Sequence, residues 1–280
     1  MLAYRHAFHA GNHADVLKHL VLVQVLRYLG EKEKPYWLID THAGAGAYKL
    51  HSRYAQQNAE FEQGIARLWQ RDDLPPPVAD YVELVRAHNA SGDLKHYPGS
   101  PALALQVLRP QDRLRLFELH PTDHRLLAAH FGSQPHTEVH HADGFSSLKA
   151  QLPPPSRRAA VLIDPPYEIK ADYNLVVNSV RDGLKRFAEC VMMVWYPQLP
   201  RLESQQLPQR LKSLAPKGWL HVRMTVQKTD QRGFGLLGSG MFVINPPWVL
   251  HDTLRDVLPW LTEALAQYDG ASYLLEQRTD

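Results

Sequence analysis

Ala159-Ala160-Val161-Leu162-Ile163-Asp164-Pro165-Pro166-Tyr167 is the stretch on which the fold turns. Five apolar residues rich in branched side chains read as a buried parallel strand. Two successive prolines cannot continue it, because neither donates to a ladder and each fixes its own φ. The strand therefore stops at Asp164, at a carboxyl edge, which is where open α/β sheets bind their ligands. The two rings also stiffen the turn and limit where the Asp164 carboxylate, the Pro165 carbonyl and the Tyr167 ring can point. Two acceptors and an aromatic face suit a planar amino group: the acceptors take its two N–H donors and the ring stacks behind it. A proline-ended strand beside a structural tyrosine is the plainer alternative.

Outward from that stretch, strand and helix patterns alternate, as in a doubly wound sheet. Strands are expected at 36–40, 113–119, 137–141, 159–163, 190–196, 218–227 and 240–244. A glycine-rich segment from Thr229 to Gly240 joins the last two as a long hairpin. Five parallel strands followed by an antiparallel pair resemble the class I methyltransferase fold: Rossmann-like, α/β, with a seven-stranded, mostly parallel sheet. Asp164-Pro-Pro-Tyr167 is likewise similar to the Asp/Asn-Pro-Pro-aromatic motif of amino-group methyltransferases that use S-adenosylmethionine.

Strand Tyr36–Asp40 runs into Thr41-His42-Ala43-Gly44-Ala45-Gly46, a turn whose glycines admit close backbone approach to a ligand. The dinucleotide fingerprint would need a third glycine where Lys49 stands, and the acid it expects about 20 residues on is missing. The next strand to end in an acid is Arg113–Glu118, and the two oxygens of Glu118 suit a pair of ribose hydroxyls. The long gap implies an insertion. Within it Phe61, Ile65, Leu68 and Trp69 share one helical face, and Val78, Tyr81, Val82 and Val85 another. We therefore divide the chain into a main domain of 1–50 and 98–280 and an inserted helical subdomain of 51–97. Ser100-Pro101 opens the next helix with Ser as N-cap, and its free N–H groups suit a carboxylate. Asp143-Gly144 places a third carboxylate at a strand end, or is simply a turn.

Composition narrows the class. The 280 residues, 44% hydrophobic, can bury a sizeable core, and the single Cys190 excludes a disulfide framework and fits a reducing, cytoplasmic setting. No stretch approaches the ~18 apolar residues of a membrane span, and the first residues carry no secretory pattern. A net charge of +2 permits a nucleic-acid partner without establishing one. Near the N-terminus, Asn12 is expected to cap a helix with Val16, Leu20, Val23 and Leu26 as its apolar stripe; residues 1–30 are expected to lie over the cofactor site, or merely to cover the sheet. His6, His9, His13 and His19 lack metal-ligand spacing, and no metal site is expected. Asn245-Pro246-Pro247-Trp248 repeats the motif letters two strands too late and is read as structural, with Trp248 packing.

The N-terminal block, Asp40-Thr-His-Ala-Gly-Ala-Gly46, Tyr97-Pro-Gly-Ser-Pro101, Phe117-Glu-Leu-His-Pro121, Ala142-Asp-Gly-Phe145, Ile163-Asp-Pro-Pro-Tyr167 and Asn245-Pro-Pro-Trp248 together resemble the ribosomal RNA large subunit methyltransferase J family. The resemblance covers nearly the whole chain and implies N6-methylation of one adenine, adenine 2030 by the family's name, in 23S ribosomal RNA. It also implies S-adenosylmethionine contacts from His19, His42, Ser100, Glu118, Asp143, Gly144 and Asp164, with Lys18 near the cofactor, Tyr4 near the substrate adenine and Asp164 as the catalytic acceptor. The residue reading adds Gly44 and Gly46 on the cofactor and Pro165 and Tyr167 on the base. Arg157, Arg158, Lys185, Arg186, Arg223, Lys228 and Arg232 are candidate phosphate contacts, each read first as a solvated charge. A DNA adenine methyltransferase, a glutamine-N5 methyltransferase (which would carry Asn at 164) and a non-catalytic RNA-binding scaffold are the rivals. The expected state is a monomer.

Overall fold

The computed structural model describes residues 6–215, 217–228 and 236–279, with the backbone alone at Arg53. Tyr4, Arg232 and residues 229–235 of the glycine-rich loop lie outside them. Asn12 caps α1 (His13–Gly30), its side chain accepting from the Ala14 and Asp15 amides at 3.0 and 2.9 Å. Then come β1 (Trp37–Asp40), the short β2 (Ala47–Lys49), α2 (Arg53–Asn58), α3 (Ala66–Trp69), α4 (Pro76–Ala87) and β3 (His96–Pro98). They are followed by α5 (Ser100–Val107), β4 (Arg113–Phe117), α6 (Pro121–Phe131), β5 (Thr137–His140), α7 (Gly144–Gln151) and β6 (Ala159–Ile163). The remainder is α8 (Ala171–Arg186), β7 (Val191–Gln198), α9 (Leu202–Lys212), β8 (Gly218–Thr225), β9 (Gly238–Ile244), α10 (Leu250–Leu265) and β10 (Ser272–Thr279).

The main sheet runs β10-β8-β9-β7-β6-β1-β4-β5. β5, β4, β1, β6 and β7 are parallel, and β9 lies antiparallel between β7 and β8. The chain reverses its order of strands beside β1, which opens a crevice over the carboxyl ends of β1, β4 and β6. Seven strands were expected in this sheet and, among the described residues, it has eight, because β10 adds itself antiparallel to β8. Its eight residues are largely polar and exposed, so no apolar run marks them. Lys212 helps hold it, pairing with Glu276 at 2.8 Å.

Alternate residues of each strand enter different cores. Ala160 and Leu162 of β6 face the side of α1 and α10, whereas Ala159, Val161 and Ile163 face the side of α8 and α9. α1 is apolar on more than the expected stripe: Leu17, Val21, Leu22 and Val25 are buried as well, because it is sandwiched between the sheet and α4, α5 and α10. The helical face expected over 61–69 is divided, with a 3-10 turn at Glu60–Gln63, a break at Gly64, and α3 after it. A Cβ at Gly64 would stand 2.1 Å from the Gly11 carbonyl, so glycine is required where this segment meets the chain entering α1. Phe61, Ile65, Leu68, Val78 and Tyr81 share one apolar core with α1. Among the described residues no helix is long and apolar enough to cross a membrane.

Candidate active site

The carboxyl ends of β1, β4, β5 and β6 surround a cavity of about 390 Å³. Each strand end contributes residues at or just past its last position. Beyond β6, Asp164 and Pro165 reach the cavity wall. Lys18 Nζ, from α1, donates to Asp164 Oδ2 at 2.5 Å and stands 2.8 Å from Asp15 Oδ1. Asp15, 2% exposed, also accepts from His6 Nε2 and from the Gly11 amide, both at 2.9 Å. Burial opposes the charge on both partners. The Asp15 and Asp164 carboxylates nevertheless hold Lys18 above the ordinary lysine value, and His6 and Lys18 hold Asp15 well below the ordinary carboxylate value. A fixed cation thus sits between two carboxylates, one structural and one facing the cavity.

At the end of β1, Asp40 is fully buried. It accepts from Ser100 Oγ at 2.6 Å and from the His42 amide at 3.2 Å. Burial raises its carboxyl to about 6 despite those donors. Thr41 Oγ1 donates to the Leu162 carbonyl and is 2.8 Å from His42 Nδ1, which fixes the His42 ring edge-on to Phe145. Burial depresses His42 to about 3, so it is neutral. Gly44 turns with φ +60, and its amide donates to Glu118 Oε2 at 2.9 Å, while the His120 amide donates to Glu118 Oε1 at 2.6 Å. Burial raises Glu118 above the usual glutamate value. Each of its oxygens holds one backbone donor, so a lone pair on each remains directed outward.

On the opposite wall His19 Nδ1 lies 2.6 Å from Tyr97 Oη, and Tyr97 Oη lies 2.8 Å from Tyr81 Oη of α4. Burial, seconded by the Lys18 charge, holds His19 well below the ordinary histidine value. Its Nε2 is buried and, among the described residues, without a partner. A buried polar atom left open on a cavity wall is a place for a ligand.

Most of the residues singled out in the sequence converge here. Lys18, His19, His42, Gly44, Ser100, Glu118, Asp143, Gly144, Asp164 and Pro165 all line the cavity. Ser100 is not the N-cap that was expected; Gly99 takes that position, and Ser100 opens α5 with its hydroxyl turned to Asp40. Asp143 does cap α7, its Oδ1 accepting from Phe145 N at 3.0 Å. Gly144 permits contact with the backbone of β1's end, since a Cβ there would stand 2.0 Å from the Thr41 carbonyl.

Two of the expected site residues do not line the cavity. Gly46 does not reach the cavity: its carbonyl accepts from the Gly99 amide, and a Cβ would strike Phe131 at 2.2 Å, so its glycine serves packing. Tyr167 does not offer its face to the cavity either. At φ +52 it turns inward, 2% exposed, its hydroxyl donating to the Trp195 carbonyl at 2.7 Å and its ring 4.6 Å from that of Tyr173. The candidate phosphate contacts are also dispersed. Arg157 and Arg158 precede β6 and Lys185 and Arg186 end α8, at the sheet edge opposite the cavity, where Arg158 donates to the Leu29 carbonyl. Asn245 belongs to that far edge too, its side-chain amide donating to the Ala188 and Cys190 carbonyls at 2.7 and 2.8 Å. Trp248 is 77% exposed rather than packed.

Sequence reasoning passed over Asp15, Asp40 and Tyr48. Tyr48 lies on the cavity wall, its Oη accepting from the Ala45 amide at 3.3 Å. Only the position of Asp40 at the end of a strand could have signalled it.

Residues 33–276 match the family described as "Ribosomal RNA large subunit methyltransferase D, RlmJ". The chain is 48% identical over 265 residues to the ribosomal RNA large subunit methyltransferase J of Escherichia coli K12, covering 95% of this chain and 94% of that protein. Against the protein of the same name from Haemophilus influenzae the identity is 44% over 278 residues, covering 99% and 98%. The crystal structure of a Legionella pneumophila protein superposes with a TM-score of 0.88 at 34% identity, over 96% of this chain and 98% of that one. This chain belongs to the ribosomal RNA large subunit methyltransferase J family.

Proposed function

We propose that this protein methylates N6 of a single adenine, adenine 2030 of 23S ribosomal RNA, with Asp164 as the group that accepts from the amine. The coarser statement needs no proposal: it is an S-adenosylmethionine-dependent ribosomal RNA methyltransferase. The observation that carries the finer reading is Asp164 at the end of β6, clamped by Lys18 through one oxygen only.

The cavity fits the cofactor. The unpartnered His19 Nε2, the outward lone pairs of Glu118 and the close-packed glycines at 44 and 144 provide a donor or acceptor wall, a ribose clamp and room for backbone contact. His19, His42, Gly44, Ser100, Glu118, Asp143 and Gly144 would hold it. When bound, S-adenosylmethionine supplies an electrophilic methyl group on a cationic sulfonium. The cavity wall is rich in acids (Glu118, Asp123, Asp143, Asp164, Glu168, Asp172), which favours a cation.

Lys18 occupies Asp164 Oδ2 and leaves Oδ1 to accept one hydrogen of the amine. The Pro165 carbonyl accepts the other. Together they draw the nitrogen from its planar, ring-conjugated state toward a tetrahedral one, so that its lone pair is aimed. The amine becomes strongly acidic only as the new bond forms, so Asp164 need not deprotonate it beforehand. Most of the rate then comes from positioning and electrostatics. The base must first leave its stack. We place the inserted helical segment 51–97 behind the cofactor wall, where Tyr81 supports Tyr97 and His19, and we expect a cytoplasmic monomer.

The test is methyl transfer from labelled S-adenosylmethionine to naked 23S RNA, assembled large subunits, duplex DNA and protein, with Asp164→Ala as the blank and nucleosides analysed by mass. N6-methyladenosine at one RNA site is expected. Label in DNA, or wild-type rates from Asp164→Ala, refutes the reading.

A further inference from the structure

With Tyr167 turned into the core, the chain emerges at once onto the surface: Glu168, Ile169 and Lys170 are exposed, the first two at the mouth of the cavity. Among the described residues, seven large apolar side chains are exposed, and three of them, Leu119, Ile169 and Leu175, line this one cavity. A fourth, Leu202 at 62% exposure, opens α9 beside Glu203, and Glu203 pairs with Lys170 at 3.0 Å. Arg210 of α9 donates to Asn174 Oδ1, next to Leu175 on α8, at 2.9 Å. Ile169 and Leu175 thus form an aliphatic rim on the Asp164 side of the mouth, and the Lys170–Glu203 pair brings the start of α9, with Leu202, toward it. Isolated apolar residues on a surface need no explanation, but a cluster continuous with a binding cavity marks contact with a partner. Charge at the rim is balanced or acidic: Glu203 answers Lys170, and Glu168 and Asp172 stand nearby. A phosphate gains little there. The uncharged face of a base gains by leaving water.

We infer that Ile169, Leu175 and Leu202 receive the nucleobases flanking the target adenine once that adenine has left its stack. The inference rests on the adenine-N6 reading and names the RNA surface that accompanies it. Unstacking one base exposes the faces of its neighbours, and apolar side chains laid against those faces recover part of the lost contact. The rim does what the buried Tyr167 ring does not.

The experiment uses the full chain and a 23S RNA fragment spanning adenine 2030, with 2-aminopurine at the adjoining nucleotide. Ile169→Ser, Leu202→Ser and their combination are compared with Trp248→Ser, which removes an exposed apolar side chain at the opposite edge. The RNA KM should rise about fivefold to tenfold for each rim variant, the order expected for losing a buried aliphatic contact. The fluorescence increase on binding should shrink, and cofactor affinity by calorimetry should not change. Trp248→Ser should behave as wild type. An active wild type with rim variants of unchanged KM and fluorescence overturns the inference. So does a defect seen only on assembled subunits, which would give the rim to a ribosomal protein. A wild type that binds cofactor but transfers nothing to RNA is a different result, refuting the adenine reading and the rim with it.

Discussion

Replacing Lys18 by methionine keeps most of the side chain's length and removes its charge. In the native protein that charge is 4% exposed and faces Asp15 at 2.8 Å and Asp164 at 2.5 Å. At an effective dielectric of ~20, one such pair attracts by roughly 6 kcal/mol, most of which only offsets the desolvation of its members. Removing the shared cation leaves Asp15 with His6 and the Gly11 amide alone, and a buried charge stripped of its partner costs about 3–5 kcal/mol. The sign with pH follows. In the native protein Asp15 lies well below its unfolded value of 3.8, so its stabilising contribution is present above that value and is lost only in stronger acid. Without Lys18, burial is opposed chiefly by His6 and Asp15 rises from its native value, so the variant loses stability as the carboxyl ionises. The gap between the two proteins should therefore widen between about pH 5 and about pH 7.5 in urea unfolding followed by circular dichroism. A gap below ~1 kcal/mol, or one equal at both pH values, would show that Lys18 is not what neutralises these carboxylates.

Two further outcomes are expected. Asp40 has a folded value of about 6 against 3.8 unfolded, so its contribution to stability is full below 3.8 and declines as pH rises through 6. Asp40→Asn should flatten the stability–pH profile by about 3 kcal/mol across that window, and parallel profiles for the two proteins would contradict the assignment. Tyr97→Phe removes a buried hydroxyl that bridges His19 and Tyr81; it should cost about 1–3 kcal/mol in unfolding and weaken cofactor binding in calorimetry, whereas unchanged binding would detach His19 from the cofactor wall.

The cavity edge is legible in one dimension because parallel strands announce themselves as apolar runs and the functional residue follows each run directly. Asp164 after β6 and Glu118 after β4 are of this kind. The partner of Asp164 is not, since Lys18 lies 146 positions away on a helix whose pattern records only burial. Its placement near the cofactor came from family resemblance, and Asp15, which holds it, passed unnoticed as an ordinary first-turn acid. Tyr167 shows the opposite failure. The motif letters are right, but a positive φ, invisible in the letters, turns the ring inward. β10 was missed because a half-exposed edge strand need not be apolar. The histidines near the N-terminus have ordinary partners that no spacing foretells: Asp15 for His6, Glu60 for His9 and Tyr97 for His19.

The place of β9 in the sheet bears on when this protein can begin to work. β7 and β8 are both made before it, yet they are joined only through it, each pairing with β9 along its length. A nascent chain that has emerged no further than Thr225 therefore holds two strands with open edges and nothing between them, a state prone to association with other chains. Closure waits for Gly238–Ile244, and the cover of α10 comes later still. The sheet that carries the cavity is thus incomplete until β9 has been made.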